Sequence, residues 1–250
     1  MLLQMQTWAE VERYLATSNA VIVPIGSTEQ HGPNGLIGTD ALCGEYFAKG
    51  AGELAGAMVA PTINVGMAQH HMAFTGSMTL KPTTLILVIK EWVASLAHHG
   101  FEKFFFVNGH GGNIATINAA FQELYADESL AKGGNRPGVL CRLRNWWDGP
   151  KVNALIKELF ADQDGSHATC SEVSVTQHLF PDAIKQAPDM GPPSPHRGPW
   201  ANADDYRRKF PDGRIGAHSY LANPQAGKRI YDCGIAEIAE DYRKFVAEPR

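Results

Sequence analysis

Fifteen residues, Gly26 to Asp40 (GSTEQHGPNGLIGTD), carry a carboxylate, an imidazole and a second carboxylate: Glu29, His31 and Asp40. Glu29 and His31 are two apart, so in extended backbone both side chains leave on one side, and the Gly/Pro path can bring Asp40 back beside them. Such a mixture of oxygen and nitrogen donors suits a divalent cation. Taken alone, the loop reads equally as solvated Glu29 and His31, with Asp40 as the N-cap of the next helix. A second cluster, Asn108-Gly109-His110-Gly111-Gly112-Asn113, supplies another imidazole. It lacks the full spacing of a dinucleotide or P-loop fingerprint, and its plain alternatives are a turn with Asn113 as helix cap, or an anion-binding nest. A third stretch, DGSHATCSEVS from Asp164 to Ser174, adds His167 and then Glu172, a carboxylate that would also be at home in a first helical turn. His167 is flanked by small residues that allow close approach of a substrate, and an imidazole there can shuttle protons.

The elements around these loops read as alternating strands and helices. Ala20–Pro24, Ala57–Pro61, Lys103–Val107 and Gly138–Leu143 are short apolar runs of the kind buried on both faces of a sheet. Between them, helical patterns cover about 40–55, 83–99 and 113–128. Thr83–His99 is the clearest, with Pro82 before it, Gly100 after it, and Leu85, Val88, Trp92 and Leu96 as its stripe. Thr7 and Glu10 fit a capping box for an opening helix, Lys151–Ala161 and a start near Ser171 give two more, and Gln225–Val246 closes the chain. Residues 186–216 are rich in Pro, Gly and Asp and read as a long loop. The pattern predicts an α/β fold with a mainly parallel sheet covered on both faces, in a single domain over 1–250 with an excursion at about 186–224. Both polar loops would then open at strand C-terminal ends, where open α/β sheets bind ligands.

Composition excludes several classes. Lys+Arg 22 against Asp+Glu 26 gives a net charge of −4, without the basic surface of a general nucleic-acid binder. Four scattered cysteines without a C-x-x-C pair indicate neither a zinc knuckle nor a disulfide framework. The N-terminus has no basic region and carries Glu10 and Glu12 in its apolar stretch, unlike a signal peptide, and the longest apolar candidate span is broken by Lys90 and Glu91. A cytoplasmic protein with no membrane partner is expected.

The motifs PIGSTEQHGPNGLIGTD at 24–40, QHHMAFTGSMTL at 69–80, FVNGHGGN at 106–113, HATCSEVS at 167–174 and GRIGAHSYLANPQAG at 213–227 make the chain similar to the creatininase (creatinine amidohydrolase) family over most of its length. The resemblance implies a three-layer α/β/α sandwich, a binuclear Zn or Mn centre, with Fe a further option, and a homohexamer. It makes Asp40 the bridging ligand, with Glu29 and His110 on one metal and His31 on the other. In creatininase itself a Glu stands two residues after the histidine matching His110, where this chain has Gly112. Other branches with GHGGN keep a carboxylate matching Glu172, which is therefore assigned to the second metal. His167 matches the catalytic histidine, with His-Ala-Thr in place of the usual His-Ala-Gly. His71, Ser77, Gly111 and Trp147 are expected to contact substrate; Trp146 and Trp147 could form an aromatic wall, or equally serve a core or a subunit interface.

Two such ions would generate hydroxide from a bridging water and polarise an amide carbonyl, with His167 passing a proton to the leaving nitrogen. The expected substrate is a small cyclic amide, a creatinine-like lactam. Asn34 and Gly35 replace the commoner His-Leu, and Gln163 and Asp164 stand where creatininase carries a tryptophan, so creatinine itself is not the natural expectation. The alternatives are a formamide deformylase or modified-peptide hydrolase within the same family, and, in another class, a metal-free anion-binding protein. His218 and Arg197 are further candidates, for a substrate lid or for a neighbouring subunit's site.

Overall fold

The computed structural model describes residues 1–131, 138–186 and 190–249. Four strands, β1 (Ala20–Ile25), β2 (Met58–Val59), β3 (Lys103–Asn108) and β4 (Leu140–Asn145), form an all-parallel sheet in the order β2-β1-β3-β4. Eight helices surround it among the described residues: α1 (Trp8–Leu15), α2 (Thr39–Ala55), α3 (Pro82–His98), α4 (Ile114–Leu130), α5 (Pro150–Phe160), α6 (Cys170–Leu179), α7 (Ala203–Lys209) and α8 (Pro224–Ala247).

β1 and β3 are buried throughout because both faces of the sheet are covered. Side chains alternate between two cores, as strand geometry requires. Ile22 and Phe105 join Phe47, Trp146, Ile230, Ile238 and Phe245 on the side of α2, α5, α6 and α8. Val21, Val23, Phe104 and Phe106 join Leu85, Ile89, Ile117 and Phe121 on the side of α1, α3 and α4. Pro24 can sit in this central strand because β2 has already ended at Val59; its carbonyl still accepts the Ile63 N–H at 3.0 Å.

The route from β1 to β2 passes through α2 on one face, while β3 reaches β4 through α4 on the other. The strand order therefore reverses between β1 and β3, which is where α/β sheets open a crevice. Ile25 pairs with Asn108 and Asn108 with Asn145, so three strands end at one level. Side chains secure that edge: Asn108 Nδ2 donates to Asn145 Oδ1 at 2.8 Å and to the His110 carbonyl at 2.7 Å.

Two expectations are corrected here. The strand expected over Gly138–Leu143 starts later, at Leu140, and as an edge strand it is only partly buried; Arg142 and Arg144 pair with Glu248 and Asp241 instead of entering a core. The region read as a long loop contains α7, whose seven residues are too few to show a stripe and bury only Tyr206. Within the expected excursion, residues 187–189 lie outside the described residues.

Candidate metal centre

The loop after β1 turns inward. Glu29 and His31, which a surface loop would leave in water, are 0% and 1% exposed, and Asp40 is 3% exposed. Asp40 does not cap α2: the cap position is Gly38, and Asp40 follows Thr39 in the first turn. Its carboxylate instead meets both imidazoles, Oδ1 at 2.9 Å from His31 Nε2 and Oδ2 at 2.8 Å from His110 Nδ1. Glycine makes this approach possible, since a Cβ on Gly109 would stand 1.9 Å from the Asp40 carbonyl. Gly112 is similarly required, because a Cβ there would fall 2.3 Å from His110 Nε2. No side chain, glutamate included, fits at 112 with His110 in this pose.

Asn113 stands at the N-cap position of α4, as the cap alternative has it, but its side chain makes no capping bond. Its Oδ1 accepts the Met67 N–H at 2.9 Å and its Nδ2 donates to the Gly26 carbonyl at 2.9 Å, binding three loops together. Glu172 satisfies two readings at once. Thr169 and Glu172 form a capping box at the start of α6, with Glu172 Oε1 accepting the Thr169 N–H at 2.5 Å, while Oε2 lies 3.8 Å from His31 Nε2. Just before it, Ala168 takes a positive φ of 54°, an uncommon conformation for a non-glycine residue that turns the chain from His167 into the helix.

The imidazoles share one pattern. His31 Nδ1–H donates to the Glu29 carbonyl at 3.0 Å, His110 Nε2–H to the Met67 carbonyl at 3.0 Å, and His167 Nε2–H to the Gln30 carbonyl at 2.8 Å. Each ring thus spends one nitrogen on main chain and turns the other to the centre, as metal-binding histidines do. Donor atoms gather in three overlapping groups, each within 4.8 Å: Glu29, Asp40 and His110; His31, Asp40 and Glu172; and Glu29, His31 and His167. Both oxygens of Glu29 and Oδ2 of Asp40 are buried without a hydrogen bond of good geometry. Buried carboxylate oxygens left this way are costly unless a cation joins them, so the residues fit a divalent metal.

Protonation states follow from the same crowding. Burial opposes charge on His31 and His110, but the neighbouring carboxylates outweigh it: Asp40, Glu172 and Glu29 push His31 up to about 10, and Glu29 and Asp40 push His110 up to about 9. Burial raises Glu172 to about 7, with His31 opposing. His167 is held well below its ordinary value by burial, then by His71 and His31, and is neutral.

A cavity of about 380 Å³ opens on the centre, lined by Asp40, His110, Glu172 and His167, with Gly111 and Trp147 farther along its wall. Trp146 also lines it, but is 2% exposed and stacked on Phe47 at 4.8 Å. His71 and Ser77 lie behind the centre. His71 is 1% exposed and its Nε2 is 3.0 Å from Glu29 Oε1; Ser77 Oγ accepts the Gln30 N–H at 3.2 Å. Asn34, one of the departures in the first motif, is clamped to Ser219 by two hydrogen bonds of 2.9 Å, away from the donors. His218 bonds Tyr220, and Arg197 is exposed and held by main-chain carbonyls.

Gln30 is the functional neighbour that sequence reading left without a role. Its Nε2 lies 2.9 Å from His167 Nε2, 3.0 Å from His71 Nδ1 and 3.1 Å from the Gly213 carbonyl, and its Oε1 accepts the Gly32 N–H at 2.8 Å. The amide N–H donates to His71 Nδ1, which leaves His71 Nε2 beside Glu29 Oε1 at 3.0 Å without hydrogen-bond geometry. Tyr206 of α7 packs against His71 at 4.7 Å between ring centres. Its only sequence signal was an aromatic residue in an otherwise polar stretch.

The family model for creatininase, described as creatinine amidohydrolase, matches residues 4–242. Creatinine amidohydrolase from Pseudomonas putida is 28% identical over 71% of this chain and 71% of its own length. The mycofactocin precursor peptide peptidase of Mycolicibacterium smegmatis is 32% identical over 66% of this chain, which spans 59% of that relative. Solved creatininase structures, one of a Zn-Zn type and one a manganese form, superpose with TM-scores of 0.83 at 24% identity; they cover 99% of this chain and 98% and 99% of their own chains.

Proposed function

This chain belongs to the creatininase family, a family of hydrolases, and we propose that it is a binuclear metal-dependent amidohydrolase that cleaves a non-peptide C–N bond in a small amide, with a creatinine-like cyclic amide as the first substrate class. The observation that carries the reading is the buried set of carboxylate oxygens on Glu29 and Asp40 that no hydrogen bond of good geometry satisfies, facing His110 Nδ1 and His167 Nδ1 at 2.8 and 3.8 Å. Three carboxylates in one pocket would repel an anion, which argues against the metal-free anion-binding alternative.

Glu29, Asp40 and His110 would hold one ion and His31, Asp40 and Glu172 the other, with Asp40 common to both groups. The donors suit Zn²⁺ or Mn²⁺, and such ions, when bound, would supply an activated water and polarise an amide carbonyl. His167 supplies the proton chemistry. The Gln30 carbonyl holds its Nε2–H, which leaves the Nδ1 lone pair facing the centre, 3.8 Å from Glu29 Oε1. Being neutral, this nitrogen can accept a proton from the attacking water and return it to the departing nitrogen, which would otherwise leave as an unstable anion. Gly111 gives the carbonyl side open backbone, and Trp147 supplies an apolar wall across the cavity.

The test is elemental analysis of the gently purified protein, followed by hydrolysis assays over lactams, hydantoins, creatinine and formamides with Zn²⁺ or Mn²⁺ restored. Turnover of one class that depends on two equivalents of metal is expected; absence of turnover across all four classes overturns the proposal. A homohexamer is part of the same reading, supported by Met5 and Trp8 standing 74% and 76% exposed close to the β2 edge of the sheet. Light scattering checks it.

A further inference from the structure

The motif at 213–227 has no part in the chemistry above, yet its first residues lie against the loop that carries His167. The two segments run antiparallel there. The Ser166 N–H donates to the Ile215 carbonyl at 2.8 Å, the Ile215 N–H to the His167 carbonyl at 3.2 Å and the His218 N–H to the Gln163 carbonyl at 3.0 Å. They approach so closely that a Cβ on Gly165 would fall 2.4 Å from the Ala217 nitrogen. Strained backbone persists only where its surroundings over-determine it, and this pairing supplies the restraint immediately before Ala168, whose φ is 54°.

On its other side the segment meets the loop that carries Glu29 and His31. Gly213, at φ 87°, faces the Gln30 side chain, where a Cβ would stand 1.8 Å from Oε1. The Gly213 carbonyl accepts two donors, Gln30 Nε2 at 3.1 Å and the Tyr206 hydroxyl of α7 at 2.9 Å. Arg214 is 1% exposed. Its guanidinium pairs with Asp212 at 2.7 Å and donates to the Gly191 and Ala217 carbonyls at 2.8 and 3.3 Å. Its stem crosses Gly32 so closely that a Cβ there would be 2.9 Å from Arg214 Cγ. Gly213, Arg214 and Ile215 therefore form a seam between the two loops.

His167 sits at that seam. Its ring belongs to a file of four, His31, His167, His71 and Tyr206, with successive centres 4.7, 4.4 and 4.7 Å apart. Tyr206 thus closes the far end of the file with its ring and holds Gly213 with its hydroxyl. We propose that Gly213–Ile215 is the element that orients His167, and that Tyr206 and Arg214 are positioning residues acting through it. Neither lines the cavity over the centre. Tyr206 acts through Gly213, Gln30 and the His71 ring; Arg214 acts through Gly32 and the pairing with Ser166 and His167. The importance of this orientation for turnover rests on the amidohydrolase reading above, whereas the orientation itself can be measured without it.

The test uses the full chain with ¹⁵N-labelled histidine. Without added metal, long-range ¹H–¹⁵N correlation spectra show which nitrogen of each ring carries the proton, and His167→Ala identifies the His167 signals. The wild-type ring should show one fixed tautomer, with the proton on Nε2 facing the Gln30 carbonyl. Tyr206→Phe keeps the ring and removes the hydroxyl; Arg214→Met keeps an apolar stem over Gly32 and removes the guanidinium. In both variants the His167 pattern should move towards the average of the two tautomers, while the exposed His98 and His99 are unaffected. Phe121→Ala, in the core on the other face of the sheet, is the control for lost stability: it should lower Tm and leave the His167 pattern fixed. With metal restored, the seam variants should lose about 10–100-fold in kcat, as misplacement by an ångström does, with KM and metal content unchanged. A His167 pattern that stays fixed in both seam variants, or that moves as far in Phe121→Ala, overturns the positioning role. A pattern that moves only in the seam variants, in a wild-type protein that turns over no amide, keeps the seam and overturns the amidohydrolase reading.

Discussion

Asp40→Asn is the sharpest test of how the centre is built, because Asp40 is the one residue that belongs to both three-donor groups of the proposed pair of sites. The change keeps shape and removes charge. It leaves each proposed ion with only two fully competent protein donors, Glu29 with His110 and His31 with Glu172. Groups that merely orient ligands are worth about 10–100-fold in metal affinity, so loss of a shared ligand should cost at least 100-fold at each site. At a free metal concentration 100 times the wild-type Kd, binding stabilises the folded chain by about 2.7 kcal/mol per site. For a chain of this size that corresponds to roughly 5–10 °C in Tm per ion. A 100-fold loss brings the ratio of metal to Kd near one and the stabilisation to about 0.4 kcal/mol, or roughly 1 °C. The assay is differential scanning calorimetry of metal-stripped protein titrated with Zn²⁺ or Mn²⁺, with elemental analysis after gel filtration. The metal-free variant, scanned alone, separates a folding defect from a binding defect. Two equivalents of metal retained by Asp40→Asn, with the wild-type shift in Tm, would refute the shared-ligand reasoning.

Other substitutions divide the site's roles. Glu172→Gln touches one donor group only, so elemental analysis should find one equivalent retained at Glu29, Asp40 and His110. His167→Ala should lower kcat by about 10²–10⁴-fold, the usual contribution of a general acid or base, with metal content unchanged; loss of metal would place His167 among the ligands. Gln30→Met strands the His71 Nδ1, the Gly213 carbonyl and the Gly32 N–H, at about 1–3 kcal/mol, and thermal unfolding should show Tm lower by roughly 2–10 °C. Phe47→Ala opens a void beneath Trp146 and should cost about 3–5 kcal/mol in urea unfolding. Cys43, Cys141 and Cys170 are buried, and burial pushes the Cys141 and Cys170 thiols up to about 12, so a thiol reagent should label only Cys233 rapidly in the native protein and all four in urea.

The elements that position the site were legible because their signals are local. β1 and β3 are continuous apolar runs, and α3 lies between a proline and a glycine, so period and punctuation agree with the structure to within a residue or two. β4 was misplaced because its run was read as wholly apolar and buried, whereas this edge strand places Arg142 and Arg144 at alternate positions, paired with Glu248 and Asp241. α7 was missed because a seven-residue helix has no room for periodicity, and Tyr206 earns its burial from His70, His71 and Trp200 rather than from its own helix. Gln30 was illegible for a different reason. A neutral amide carries no donor signature, and its partners His71 and Gly213 lie 41 and 183 residues away in the chain.

The two readings that the sequence left open for several residues turn out to differ in kind. For the side chains of Asp40 and Asn113 they were exclusive: Asn113 keeps the N-cap position of α4 and Asp40 lies past that of α2, but carboxylate and amide both reach partners on other loops instead of capping. For Glu172 they are compatible, because a carboxylate has two oxygens: one closes the capping box of α6 while the other faces His31. The same bond that starts the helix therefore fixes the rotamer that aims the second oxygen. At 112, by contrast, the close packing of Gly112 on His110 leaves no space for a carboxylate. A carboxylate for the second donor group must come from another element, and the start of α6 supplies one whose orientation is already set by folding.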